Sequence, residues 1–72
     1  MTMINPSRRF WILAVRRGGC FVPVFGSFVR GEVIVEMSQR RRGGVRRSDM
    51  KILAADPDRD AIEMALAALN DA

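Results

Sequence analysis

Few residues in this chain could do chemistry: a run of arginines over 40–47, a string of aspartates over 56–60, one cysteine and no histidine. Without histidine, nucleophilic catalysis through a Ser-His or Cys-His pair is excluded, and no zinc site is expected. Cys20 stands alone, so no disulfide closes within the chain, and it reads as a small apolar filler compatible with a reducing cytoplasm. Gly18-Gly19 and Gly43-Gly44 lack the Lys-Ser/Thr offset of a phosphate-binding loop. Asp56, Asp58 and Asp60 alternate like the start of a calcium loop. The sixth position is then Ala61 and the twelfth Ala67, where that loop requires Gly and Glu. The plain role of these acids is to cap a helix and complement its dipole. No enzymatic activity is expected.

The arginines are the stronger signal. Arg40-Arg41-Arg42-Gly43-Gly44-Val45-Arg46-Arg47 holds five Arg in eight residues. Its glycines discourage a helix, so it reads as a flexible arm that neutralises phosphates with salt-dependent, sequence-independent affinity. Arg40, Arg41, Arg42, Arg46 and Arg47 are thus the candidate nucleic-acid-binding residues. The competing reading is a solvated charge run with no dedicated partner. Phe10, Trp11, Phe21, Phe25 and Phe28 all lie upstream, whereas a single-strand platform interleaves rings and charges. Charge is uneven along the chain. Residues 1–49 carry ten Arg against Glu32, Glu36 and Asp49, a net +7; residues 50–72 carry Lys51 and Arg59 against five acids, a net −3. A basic front on an acidic tail suits a polyanion partner or a charge match between the halves.

The elements that position these groups read as an α+β fold. Phe10 to Val15 and Cys20 to Phe25 are short apolar runs, strands over 10–15 and 20–25, with the glycines of Arg17-Gly18-Gly19 at a tight turn between them. Pro23 confines the second strand to an edge or a bulge. From 28 to 37 the pattern alternates, with Val29, Gly31, Val33, Val35 and Met37 on one face, which predicts a third strand and a β-meander. Residues 38–49 form an Arg/Gly linker. Lys51 to Ala55 predicts a buried strand over 51–55. Asp56 as N-cap and Pro57 at the first helical position then open a helix over 57–70. Ile62, Ala65, Leu66 and Leu69 make its apolar stripe, and Met64 reads as a packing residue. Three segments result: 1–37, 38–49 and 50–72.

Seventy-two residues make one small domain, which buries only ~60% of its unfolded surface and is marginal without help. An incomplete or partly disordered fold is consistent with that size, as is a protein partner or a homo-oligomer. Met1 to Ser7 shows no periodicity and reads as a loose terminus. Ser7-Arg8-Arg9-Phe10-Trp11-Ile12 has the form of a twin-arginine export signal. Its apolar run ends at Val15, short of the about 7–15 residues an export signal needs and the about 20 of a membrane span. A cytoplasmic location without a membrane span is the expectation.

The order Lys51-Ile52-Leu53-Ala54-Ala55, Asp56-Pro57-Asp58, Ile62-Glu63-Met64-Ala65-Leu66 resembles the opening of bacterial response-regulator receiver domains: a strand, an acidic cluster and an amphipathic helix. The resemblance covers residues 50–72. It implies a magnesium ion held by two adjacent acids beside a phosphoacceptor Asp on a later strand. Asp56 matches the first acid; Pro57 occupies the second position, leaving Asp58 to substitute. The later strands would need roughly a hundred more residues. The resemblance therefore implies a non-catalytic receiver-like fragment tied to two-component signal transduction. The alternative is a small basic nucleic-acid-binding regulator, or antitoxin-like protein, acting through Arg40 to Arg47. A third reading is a mis-started frame, with Met37 or Met50 the meaningful start and the Arg-rich front an unselected translation of GC-rich DNA.

Overall fold

The structure, a computed structural model, describes residues 9–71. The loose terminus expected over residues 1–7, and the first two residues of the twin-arginine stretch, Ser7 and Arg8, lie outside them. The chain forms β1 (Phe10–Arg17), β2 (Cys20–Ser27), α1 (Arg30–Arg42), a single 3-10 turn (Arg47–Asp49), β3 (Met50–Ala55) and α2 (Arg59–Asp71). The three strands make one antiparallel sheet in the order β2-β1-β3. This is a small α+β fold.

β1 is the central strand, and its continuous apolar run has a direct cause. Leu13 and Val15 face one side of the sheet and join Val33 of α1 and Met50 of β3 in a buried cluster. Ile12 and Ala14 face the other side and are equally buried. That side is shared with α2, whose Ile62 lies in the same hollow as Ile12 and Phe10. A strand covered on both faces has no use for alternation. The stripe of α2 is realised as expected, with Ile62, Ala65, Leu66 and Leu69 half-buried.

Gly18 and Gly19 form the β1–β2 turn with φ of 59° and 87°, the left-handed pair that a two-residue hairpin demands. Pro23 lies on an edge strand, next to a break in register opposite Leu13 and Ala14, so both of its expected consequences occur together.

Four expectations are corrected. The strand predicted over 28–37 is a helix, α1, and the meander is a hairpin. The alternation of Val29, Gly31, Val33 and Val35 is a coincidence of spacing: Val33 is 0% exposed while Val35, two positions on, is 57% exposed. A strand here would have to add to β2, whose proline and bulge obstruct a ladder, whereas a helix can cover the sheet's face with Val33 and Met37. At the entrance, the Ser27 hydroxyl donates to Glu32 and accepts from the Val29 N–H, and an edge-to-face Phe10–Phe28 pair, 5.0 Å between centroids, holds the bend. Second, the Arg/Gly stretch is not a free linker. Arg40–Arg42 is the last turn of α1, and Gly43-Gly44 is its stop. The Val45 N–H bonds back to the Arg40 carbonyl (3.0 Å) and the Gly44 N–H to that of Arg41 (3.1 Å), with Gly44 at φ 106°. This is a Schellman ending, with Val45 tucked against the core. Third, α2 starts at Arg59 rather than 57. Asp58 donates its N–H to the Asp56 carbonyl (2.7 Å), a tight turn centred on Pro57, and its own carbonyl accepts the first helical bond from Ile62 (3.0 Å). Fourth, Cys20 and Met64 do not pack: Cys20 is exposed at the hairpin turn and Met64 is 72% exposed on the outer side of α2.

β3 runs antiparallel to β1 along its whole length, from Phe10↔Ala55 to Val15↔Met50. The front and tail of the chain therefore share one sheet.

Candidate nucleic-acid interface

The five arginines singled out by sequence occupy three kinds of site. Arg40 points along α1 to Glu36, Nε to Oε2 at 3.0 Å, and is half-buried. Arg46 reaches Asp49 across the 3-10 turn at 3.4 Å, and Asp49 also meets Arg16 of β1 at 3.5 Å. Asp49 thus sits between two cations, and its pairing with Arg16 holds the loop against the sheet. Arg41, Arg42 and Arg47 are exposed and make no ion pair among the described residues. Arg41 and Arg42 flank a shallow depression with Ser38, and Arg41 and Arg47 share another with Ile34 and Met37.

The helix brings one further cation, Arg30, to this surface that sequence reasoning missed. Arg30, Ile34, Met37 and Arg41 recur at 4, 7 and 11, a single stripe on α1. The period-two alternation of Val29, Gly31, Val33 and Val35 masks this spacing in the sequence. The stripe faces β3, so Arg30 comes beside Lys51 and Arg47 along an open groove of about 770 Å³. Arg30 also lies over the Trp11 ring, 5.4 Å from its centroid, which fixes its stem and leaves its charge unneutralised. The opposite flank of α1 carries Glu32 and Glu36 beside Phe25 and Val35. Charge is thus partly sorted across the helix: Arg30 and Arg41 lie toward β3, and Glu32 and Glu36, with Arg40 paired to Glu36, toward β2.

The remaining acids are remote from the arginine cluster in sequence and element. Asp56 and Asp58 are exposed in the turn between β3 and α2, with Asp60 in the first turn of the helix. Among the described residues no three His, Cys, Asp or Glu side chains gather as metal ligands, so what this turn offers a cation is a pair of exposed carboxylates. Arg59 pairs with Glu63 at 3.3 Å, an exposed i,i+4 pair of small energetic weight.

What the surface can do follows from the cations. Arg41, Arg42 and Arg47, with Arg30 and Lys51 nearby, present exposed donors to water and make no ion pair among the described residues, which favours a polyanion and gives a salt-dependent attraction. No helix among the described residues is long and apolar enough to cross a membrane. In comparisons with protein-family models, curated proteins and solved structures, nothing matches this chain.

Proposed function

We propose that the protein is a small nucleic-acid-binding protein that holds phosphate backbone with Arg41, Arg42 and Arg47. The observation that supports this is the division of the arginines. Arg40 and Arg46 are spent on Glu36 and Asp49, which shape the helix end and the following turn. Arg41, Arg42 and Arg47 are left with no acidic partner among the described residues, on a backbone fixed by the helix stop at Gly44 and Val45. Anchoring the backbone rather than leaving a free arm lowers the entropy lost on binding. With no close aromatic platform, affinity is electrostatic and weakly selective for sequence.

The test is anisotropy of a labelled oligonucleotide across a salt series. Neutralising a phosphate contributes about 0.7–0.9 to the slope of log K against log salt, so Arg41→Ala, Arg42→Ala and Arg47→Ala together reduce that slope by about 2–3. Arg46→Ala, which removes a paired cation, reduces it less. Binding that is unchanged in the triple variant refutes the reading. The second reading is a receiver-like signalling fragment. It is supported by the order strand, acidic turn and helix over Met50–Asp71, and it predicts no oligonucleotide affinity at any salt.

A further inference from the structure

The nucleic-acid reading leaves β3 unused. Among the described residues no strand pairs with its outer side, because the sheet ends there. The two edges of the sheet differ in kind. On β2 the outward N–H and C=O of Phe21 are both taken by the side chain of Asn70 at the end of α2, at 2.6 and 3.2 Å. Two residues on, Pro23 has no N–H to offer, and a register break follows. These are devices that close an edge to further pairing. β3 has none of them. It contains neither proline nor glycine, its register with β1 is unbroken over six pairs, and Lys51 is its one charge. A regular strand with an unpaired row of backbone donors and acceptors is a template for another strand.

Alongside that edge lies the groove of about 770 Å³ between β3 and α1, where Ile34, Met37 and Ile52 supply an apolar floor and Arg30 and Arg47 a basic rim, while Lys51, opposite Ala14, adds a cation on the other side of the strand. We propose that the free edge of β3 takes up an extended acidic segment of a partner protein as a fourth strand. Apolar residues of the segment would fall on the floor, on the α1 side of the sheet, bordered by Arg30 and Arg47, and the alternate acidic residues, on the opposite side, would meet Lys51, since neighbouring side chains of a strand point to opposite faces.

Charge selects among the occupants. Pairing β3 with β3 of a second copy brings two basic rims together, and like charges across strands are destabilising. A single-stranded nucleic acid satisfies the cations, but its phosphates cannot donate to the row of β3 carbonyls. An acidic extended peptide meets the cations, the floor and the backbone edge at once.

The experiment uses the full chain, labelled with ¹⁵N, and a peptide of about seven residues alternating glutamate with valine, long enough to span the strand. A second peptide is N-methylated at alternate residues on its pairing side. The expected result is that alternate amides of β3 shift and exchange more slowly with the first peptide, and that N-methylation weakens binding at least about tenfold. Ile34→Glu, at an exposed position, weakens it about tenfold as well by placing a carboxylate on the floor. Equal affinity for the N-methylated peptide shows attraction by charge alone and overturns the proposal. So does absence of peptide binding, or equal protection of β3 amides by a single-stranded oligonucleotide of the same charge. None of these results depends on the oligonucleotide slope measured with Arg41, Arg42 and Arg47.

Discussion

Val33 and Val35 lie two residues apart, and the helix puts them in opposite environments. Val33 is fully buried against Leu13 and Met50, while Val35 is 57% exposed. Val33→Ala removes two buried carbons, about 1.6 kcal/mol at about 0.8 kcal/mol each. The cavity adds roughly 1 kcal/mol, and the better helix propensity of Ala returns about 0.5 kcal/mol. The net loss is about 2 kcal/mol. At Val35 only the propensity counts, so Val35→Ala is neutral or stabilises by up to about 0.5 kcal/mol. For a chain whose total stability is about 4–11 kcal/mol on a per-residue scale, the first variant loses a fifth to a half of it. Urea unfolding followed by circular dichroism reads both changes. The melting temperature of Val33→Ala is expected to fall by about 8–16 °C, at about 4–8 °C per kcal/mol for a domain of this size. On a strand both valines would share one face and lose stability together. Similar losses at the two positions would refute the helical assignment of residues 30–42, and with it the stripe that brings Arg30 and Arg41 to the groove.

Two further outcomes follow from single contacts. Asn70→Ala removes the two bonds that tie the end of α2 to Phe21 of β2. It is expected to cost about 1–2 kcal/mol, with the Phe21 amide losing hydrogen-exchange protection while the β1–β3 amides keep theirs. Gly44→Ala places a side chain at φ 106° in the helix stop. It is expected to cost about 1–2 kcal/mol and to loosen the amides of Gly44 and Val45 first, seen as faster exchange at those two positions.

The two runs of arginine and glycine show where reading the chain by itself reached and where it stopped. Arg17-Gly18-Gly19 was legible as a turn because only glycine tolerates the left-handed φ there, a local steric fact. Arg42-Gly43-Gly44 carries the same dipeptide, and here the local rule was ambiguous. Glycines after a polar run mark either a linker or the stop of a helix, and the choice depends on whether the preceding residues have a surface to cover. The same limit applied to Val29 through Met37. Apolar residues two apart satisfy a strand, and those at 33 and 37 satisfy a helix, so a window of this length does not choose. Of the site, the arginine cluster was plain in composition. Its partition into paired and free members was not, because Glu36 and Asp49 meet their partners through the helical turn and the 3-10 turn.

The sequence by itself determined the α+β class, the β1–β2 hairpin, the edge position of the proline strand, the apolar stripe of α2 and the surplus of cations in the front half. Each rests on a property of neighbouring residues: allowed φ, a missing N–H, a period, a charge. Only the tertiary structure decided that residues 30–42 are a helix, that β3 closes one side of the sheet antiparallel to β1, and that Arg30, Arg47 and Lys51 share a groove. Those outcomes turn on where apolar surface is buried between residues far apart in the chain, as when Val33 meets Leu13 and Met50. Burial energy of that kind outweighs the few tenths of a kcal/mol by which a β-branched residue prefers a strand.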